Sequence, residues 1–96
     1  MRDLTGAPAP SGYPRCVVTV TMYSRTRCGL CDEARSAIEA VRAMRPFRFE
    51  EVRIDGDDDL ERAYGLRVPV VLVGGREEFE AAVDRTRLEA LVARAG

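Results

Sequence analysis

Two cysteines, Cys28 and Cys31, are separated by Gly29 and Leu30 and stand between an apolar run and a segment of helical periodicity. Two thiols three residues apart at the start of a helix lie on one face, where they can close a small disulfide ring or hold a metal ion. The unpaired N–H groups of the helix terminus also favour a thiolate at the first position. A thiol–disulfide oxidoreductase needs at least a reactive cysteine and a second thiol that resolves its mixed disulfide.

The residues around Cys28 act on its sulfur in opposite directions. Arg25 and Arg27 are nearby cations, and backbone N–H groups of the first helical turn can hydrogen-bond the sulfur. The carboxylates of Asp32 and Glu33, in the same turn, disfavour a thiolate. We therefore expect a moderately stabilised thiolate, while the two arginines are equally consistent with solvated surface charges.

A metal site is an alternative use of the same cysteines. The chain has no His, and Cys16 is its only further sulfur donor of this kind. A closed zinc site would need carboxylates or a dimer, and an iron–sulfur cluster would have to bridge two chains with the help of external thiols. We interpret Cys16 as a bystander that packs near the start of a strand.

Composition excludes several classes of partner. The 96 residues suffice for one domain, and 15 basic residues are scattered among 16 acidic ones, for a net charge of −1. This pattern offers no basic patch for nucleic acid or for a membrane surface. The apolar stretches are too short to span a bilayer, and the N-terminus lacks the apolar centre of a signal peptide. We expect a cytoplasmic monomer, where three cysteines are poorly suited to a structural disulfide framework.

The first half of the chain predicts a leader, a strand, a helix and a second strand. Residues 1–15 are rich in Pro and Gly and predict a flexible leader before a domain at 16–96. Residues 16–24 are apolar on both faces, as in a strand covered by helices on both sides. A helix from Cys31, ended by Pro46, presents the apolar positions Ala34, Ile38, Val41 and Met44. Residues 47–54 form a strand whose apolar positions shift phase near Glu50, which indicates a bulge or a sheet edge.

The second half predicts a helix, a hairpin and a last helix. Three aspartates, 57 to 59, lead into a helix over 60–64 that ends at Gly65 in a left-handed conformation. Residues 68–73 are a buried strand opened by Pro69, and Gly74 and Gly75 form a two-residue turn to a strand over 77–81. Asp84 caps a helix whose inner face carries Leu88, Leu91 and Val92.

The resulting order is β-α-β-α-β-β-α. A helical crossover makes the first two strands parallel, and the Gly-Gly turn makes the last two antiparallel. The predicted fold class is α/β, with a four-stranded mixed sheet and helices on both faces.

Three segments in this order resemble the glutaredoxin branch of the thioredoxin fold, and most closely the short bacterial glutaredoxin-like proteins. They are Tyr23 to Cys31, Tyr64 to Pro69, and the Gly74-Gly75 turn. The resemblance implies a thioredoxin-like fold in which Cys28 is the nucleophile, Cys31 the resolving thiol and Pro69 a cis-proline that faces them.

The implied function is a dithiol–disulfide oxidoreductase that acts on disulfides of proteins or of low-molecular-weight thiols. We expect no bound cofactor, glutathione or another small thiol as reductant, and a reductase as a further partner. The substrate-binding candidates are Tyr23, Arg25, Arg27, Val68 and Pro69, with the Val68 backbone pairing with an extended substrate. Tyr23 is equally suited to core packing.

The chain departs from the glutaredoxin pattern before its last helix. Ala81 to Asp84 stand where glutathione-using members carry a Gly-Gly-x-Asp turn, so the resemblance does not assign glutathione as the thiol used. A redox-inactive interaction module on the same fold is the remaining alternative.

Overall fold

The computed structural model describes residues 18–95 and has the predicted order of elements. The strands and helices are β1 (Thr19–Ser24), α1 (Gly29–Arg42), β2 (Arg48–Arg53), α2 (Asp58–Tyr64), β3 (Val70–Val73), β4 (Arg76–Glu80) and α3 (Arg85–Ala95). The leader predicted at 1–15, and Cys16, lie outside the described residues. No helix within the described part is long and apolar enough to cross a membrane.

The sheet has four strands in the order β2-β1-β3-β4. β1 is parallel to β2 and antiparallel to β3, and β3 and β4 form an antiparallel hairpin. Gly74 and Gly75 make the hairpin turn at φ 61° and 86°, a conformation that residues with a side chain rarely adopt. The predicted α/β class and mixed four-stranded sheet are confirmed.

Alternation along β1 assigns the helices to the two faces of the sheet. Val20 and Met22 are fully buried on one face, where they join the apolar side chains of α1 and α3 in the main core. Tyr23 points to the opposite face and stacks on Tyr64 of α2. One face therefore carries α1 and α3 and the other carries α2, so helices lie on both faces of the sheet, as predicted.

Helix α1 differs from the prediction at both ends. It begins at Gly29, two residues before Cys31, and ends at Arg42, well before Pro46. The N–H of Ala43 still bonds to the carbonyl of Glu39, and the chain then leaves the helix. Met44 is consequently 64% exposed, so its predicted place on the inner face was wrong.

Strand β2 lies at an edge of the sheet, which confirms one of the two explanations for its shifted apolar phase. The bulge alternative was wrong, because the β1–β2 register is regular throughout, with Val20 opposite Phe49 and Met22 opposite Glu51. Glu51 therefore occupies a position on the core face of the strand. The register irregularity of the sheet lies instead between Val71 and Leu72, in the β3–β4 pair.

Gly65 corrects a further prediction. Its φ of −52° and ψ of −37° are right-handed, so no left-handed cap is present at this position. A Cβ atom at Gly65 would collide with the carbonyl oxygen of Glu61 and would lie 3.2 Å from Nη2 of Arg25. Glycine is required here for close approach and not for backbone freedom.

β1 begins at Thr19, where residue 16 was predicted, and the boundaries of β3 and β4 move by one or two residues. β3 begins at Val70, so Pro69 precedes the strand, and β4 spans Arg76–Glu80 where 77–81 was predicted. Asp57 caps α2 by accepting a hydrogen bond from the N–H of Leu60 at 3.1 Å. Asp84 caps α3 as predicted, since its Oδ1 accepts the N–H of Arg87 at 3.2 Å.

Candidate functional site

Cys28 is the N-cap residue of α1. Its backbone is extended, with φ −116° and ψ 106°, and its Sγ accepts a hydrogen bond from the N–H of Cys31 at 3.1 Å. The sulfur thus takes the place that a Ser, Thr or Asp oxygen usually occupies at a helix start. The residue is only half-buried, so part of Cys28 is open to solvent.

Cys31 lies one turn into the same helix and is fully buried. Burial, and after it the hydrogen bond with Cys28, raise the pKa of the Cys31 thiol to about 11, while the N–H of Arg25 and the charge of Arg35 lower it. At neutral pH this group is a thiol. The two cysteines therefore differ in the way that an exposed attacking sulfur and a protected resolving sulfur should differ.

Arg25 lies close to Cys28 but is held by another helix. Its Nη1 and Nη2 donate to the carboxylate of Glu61 at 3.1 and 2.6 Å, and Nη2 also donates to the carbonyl of Gly65 at 3.1 Å. The hydrogen bonds from Arg25 to Glu61 raise the pKa of Arg25. The positive charge that Arg25 was predicted to place near Cys28 is thus largely compensated by Glu61, and the clearest role of Arg25 is to fasten the cysteine loop to α2.

A second contact fastens the same loop to the end of β2. The backbone N–H and the Oγ1 of Thr26 donate to Oδ1 of Asp55 at 2.9 and 3.2 Å, and the first of these bonds lowers the pKa of Asp55. The next residue, Arg27, is exposed and has a left-handed φ of 58°. The turn that delivers Cys28 to the helix start is thus held on both sides, whereas a substrate-binding role of Arg27 stays a prediction.

The Val68–Pro69 peptide bond is cis, as the resemblance implied. Tyr23 pairs with Val70, so the antiparallel register brings Pro69 level with Ser24, where the cysteine loop leaves the sheet. The Pro69 carbonyl accepts the N–H of Ala81 at 2.8 Å. The proposed substrate contacts of Val68 and Pro69 stay predictions.

Tyr23 is engaged in packing. Its ring stacks on Tyr64 with centroids 4.3 Å apart and planes 14° from parallel, and the guanidinium of Arg67 lies 5.5 Å from the centre of the Tyr64 ring. This contact favours the packing interpretation of Tyr23 over a substrate contact.

Sequence reasoning missed a polar group beside Cys31, formed by Ser24, Arg35 and Glu51. Arg35 makes a two-pronged ion pair with Glu51, with Nε to Oε1 at 2.8 Å and Nη2 to Oε2 at 2.5 Å. The buried Ser24 hydroxyl donates to Oε2 of Glu51 at 2.7 Å. These bonds, with that of Arg35 first, hold the pKa of Glu51 down at about 2. The available signals were the four-residue spacing from Cys31 to Arg35 and the phase shift in β2.

Among the described residues, no three or more His, Cys, Asp or Glu side chains come together in a way that could hold a metal ion. Cys28 and Cys31 themselves are both free thiols, not joined in a disulfide.

Comparison with known proteins gives evidence for the family and for the fold of this chain. A family model described as "Glutaredoxin-like domain (DUF836)" matches residues 19–93. An uncharacterised protein of Mycobacterium tuberculosis is 30% identical over 80 residues, which cover 78% of this chain and 82% of that protein. A solved structure of a protein from X. campestris is 40% identical with a TM-score of 0.67, covering 80% of this chain and 99% of the other.

A thioredoxin from Halobacterium salinarum is similar in fold. It is 23% identical with a TM-score of 0.58, and the match covers 81% of this chain and 74% of the thioredoxin. At this identity the likeness concerns the arrangement of strands and helices, which is the thioredoxin fold.

Proposed function

The chain belongs to the glutaredoxin-like domain family, and on that premise we propose that it is a dithiol–disulfide oxidoreductase acting through Cys28 and Cys31. In a member of this family with the thioredoxin fold, a Cys-x-x-Cys pair at a helix start supports redox chemistry. The proposal goes beyond family and fold, because it assigns an activity to the chain and a separate role to each of the two cysteines.

One observation carries the proposal. Cys28 is half-buried at the start of α1 and its sulfur accepts the N–H of Cys31, while Cys31 itself is shielded from solvent. A structural pair of cysteines would have no need of this division between an accessible and a protected sulfur. The same division suits an attacking and a resolving thiol.

The reaction follows two exchange steps. The Cys28 thiolate attacks one sulfur of the substrate disulfide, so a Cys28–substrate disulfide forms and the other substrate sulfur leaves as a thiolate. Cys31 then loses its proton to solvent and attacks Sγ of Cys28, which forms the Cys28–Cys31 disulfide and releases the second substrate thiolate. Two electrons pass from the cysteine pair to the substrate, and an external thiol or a reductase restores the reduced pair.

The surface near the cysteines supports protein disulfides as substrates. Leu30, between the two thiols, is 49% exposed, and Leu66 is fully exposed next to Gly65, whose carbonyl contacts Arg25. Leu30 thus offers an exposed apolar side chain between the two cysteines, where the polypeptide around a substrate disulfide would pass. Glutathione or another small thiol is the proposed reductant, and the reducing cytoplasm is the proposed place of action.

Turnover of a protein disulfide tests the proposal. The protein, supplied with a small dithiol as reductant, should reduce insulin disulfides faster than the dithiol alone, and Cys28→Ser should remove this acceleration. Cys16→Ser is the control variant and should leave it unchanged. Acceleration that survives Cys28→Ser in folded protein would refute the assignment of Cys28.

A further inference from the structure

In the resolving step Cys31 must lose a proton, and its surroundings disfavour that loss. The side chain is fully buried, and this burial is the main reason why the pKa of Cys31 is raised to about 11. Such a thiol is ionised in roughly one molecule in ten thousand at neutral pH. Any positive charge that faces Cys31 therefore has a direct effect on the rate of resolution.

The charged groups around Arg35, which lies one helical turn from Cys31, come from two elements of the fold. Helix α1 supplies Asp32 and Arg35, and strand β2 supplies Glu51 and Arg53. Arg53 contacts Oε2 of Glu51 at 3.4 Å, which is longer than either hydrogen bond from Arg35 to that carboxylate. Arg35 is the cation that links the two elements, because it bonds Asp32 in α1 and Glu51 in β2.

The loop before α1 supplies a third cation, Arg25, but its guanidinium is bound elsewhere. It pairs with Glu61 of α2, and the contact of Arg25 that favours the Cys31 thiolate is its backbone N–H. The guanidinium of Arg25 is thus directed at α2, whereas that of Arg35 lies against α1, the helix that carries Cys31.

Arg35 lies one helical turn after Cys31, on the same face of α1. Helix side chains lean toward the N-terminus, so that of Arg35 covers the turn containing Cys31. The hydrogen bond from Nη1 to Oδ1 of Asp32, at 2.8 Å, shows this direction, and the charge of Arg35 lowers the pKa of Cys31. The arginine thus places a positive charge over the helical turn that contains the buried thiol.

Glu51 and Ser24 fix the guanidinium in place. Glu51 accepts two hydrogen bonds from Arg35, and Ser24, the last residue of β1, donates to the same carboxylate. The Glu51 side chain is 20% exposed and that of Arg35 is 30% exposed, so water screens this group only in part.

We propose that Arg35 is a positioning residue for the resolving step, in which its fixed guanidinium stabilises the thiolate that Cys31 forms when it attacks the Cys28 mixed disulfide. This inference rests on the proposed oxidoreductase function. Glu51 has a double effect in this arrangement, because it holds the guanidinium in place and also neutralises part of its charge.

Rapid-mixing kinetics with a chromogenic aromatic disulfide, a dithiobis-nitrobenzoate, test the role directly. With one equivalent of the reagent, attack by Cys28 releases a first coloured thiolate, and attack of Cys31 on the mixed disulfide releases a second. All variants carry Cys16→Ser, so only the two site cysteines react. The second phase must disappear in Cys31→Ser, which identifies it as the resolving step.

Arg35→Met should slow the second phase about tenfold near neutral pH, as expected for loss of one charge roughly one helical turn from the thiolate. Its pH profile should shift to higher pH, and the first phase should change little. Arg35→Lys should restore most of the rate. Glu51→Gln removes the negative charge that partly neutralises Arg35, so it should speed the second phase or leave it unchanged. Arg42→Met, which removes another arginine ion pair from α1, is the matched control.

The outcomes separate this inference from the proposed function. A normal first phase with a second phase and pH profile unaffected in folded Arg35→Met would overturn the role of Arg35 and leave the oxidoreductase intact. Equal slowing by Arg35→Met and Glu51→Gln, with no rescue by lysine, would show a purely structural ion pair and would also overturn it. Absence of both phases in the folded parent protein would refute the oxidoreductase itself, and this inference with it.

Discussion

The backbone N–H of Cys31 points at the sulfur of Cys28 across 3.1 Å, so one residue of the pair stabilises the other through its main chain while its own thiol stays buried. The sulfur of Cys28 thereby completes the N-terminal turn of α1, and the helix in turn fixes the distance between the two cysteines. Helix capping and the proposed chemistry depend on the same contact.

This contact predicts unequal labelling of the two thiols. In the folded, reduced protein, a brief treatment with iodoacetamide near pH 7 should alkylate Cys28 well ahead of Cys31, since burial protects Cys31 and raises its pKa to about 11. Peptide mass mapping gives the two extents, and denatured protein, in which both should react, is the control. Comparable labelling of Cys31 in folded protein would contradict the described burial.

The close approach of Arg25 to α2 predicts that Gly65 does not tolerate a side chain. Gly65→Ala should destabilise the protein by about 1–3 kcal/mol, because the new Cβ collides with the Glu61 carbonyl and crowds the Arg25 guanidinium. Hydrogen exchange should also rise in the loop before Cys28.

Gly29→Ala is the matched control for this substitution, because a Cβ at Gly29 would have open space around it within helix α1. Its free energy of unfolding in urea should stay equal or increase by about 0.4–1 kcal/mol. A Gly65→Ala variant as stable as Gly29→Ala would disprove the close packing between α2 and the cysteine loop.

The ion pair of Glu51 predicts a loss of stability in acid. The pKa of Glu51 is lowered from 4.5 to about 2 in the folded protein, so its contribution is fully present above about pH 4.5 and is lost as the pH falls toward 2. The loss attributable to this carboxyl is at most about 3 kcal/mol.

Urea unfolding at several pH values between about 6 and 2 measures this contribution. Glu51→Gln should be less stable at neutral pH and should show a smaller decline in acid than the wild type. Glu50→Gln, on the exposed face of the same strand, should retain the wild-type decline. An unchanged decline in Glu51→Gln would show that other carboxyl groups cause the acid sensitivity.

Local patterns in the sequence predicted the order of elements, the Gly74-Gly75 turn and the capping role of Asp84. Each depends on residues that are neighbours in the chain, as does the placement of the cysteine pair at a helix start. The prediction that Met44 faces the core failed because apolar spacing does not record where a helix ends. Periodicity alone continues past Ala43, whereas the backbone leaves the helix there.

The contacts that hold the site required the register of the sheet. Arg25 and Glu61 are 36 residues apart, and Arg35 and Glu51 are 16 apart, with no local pattern that joins them. The shifted phase of β2 indicated an irregular strand, and only the pairing of Met22 with Glu51 shows that a carboxylate faces the core. The same holds for Gly65, since its close neighbour Arg25 comes from another part of the chain.

The central claim, that Cys28 attacks and Cys31 resolves, is tested most directly by trapping the intermediate. Cys31→Ser, in a Cys16→Ser background, should accumulate mixed disulfides on Cys28 when mixed with disulfide-containing proteins or oxidised glutathione, because the intermediate has lost its intramolecular thiol. Cys28→Ser in the same background is the control and should trap nothing. Mass spectrometry of Cys31→Ser should find the adduct on Cys28, with protein adducts or a glutathione adduct identifying the substrate class. Folded Cys31→Ser with an intact Cys28 thiol and no adduct would contradict the account.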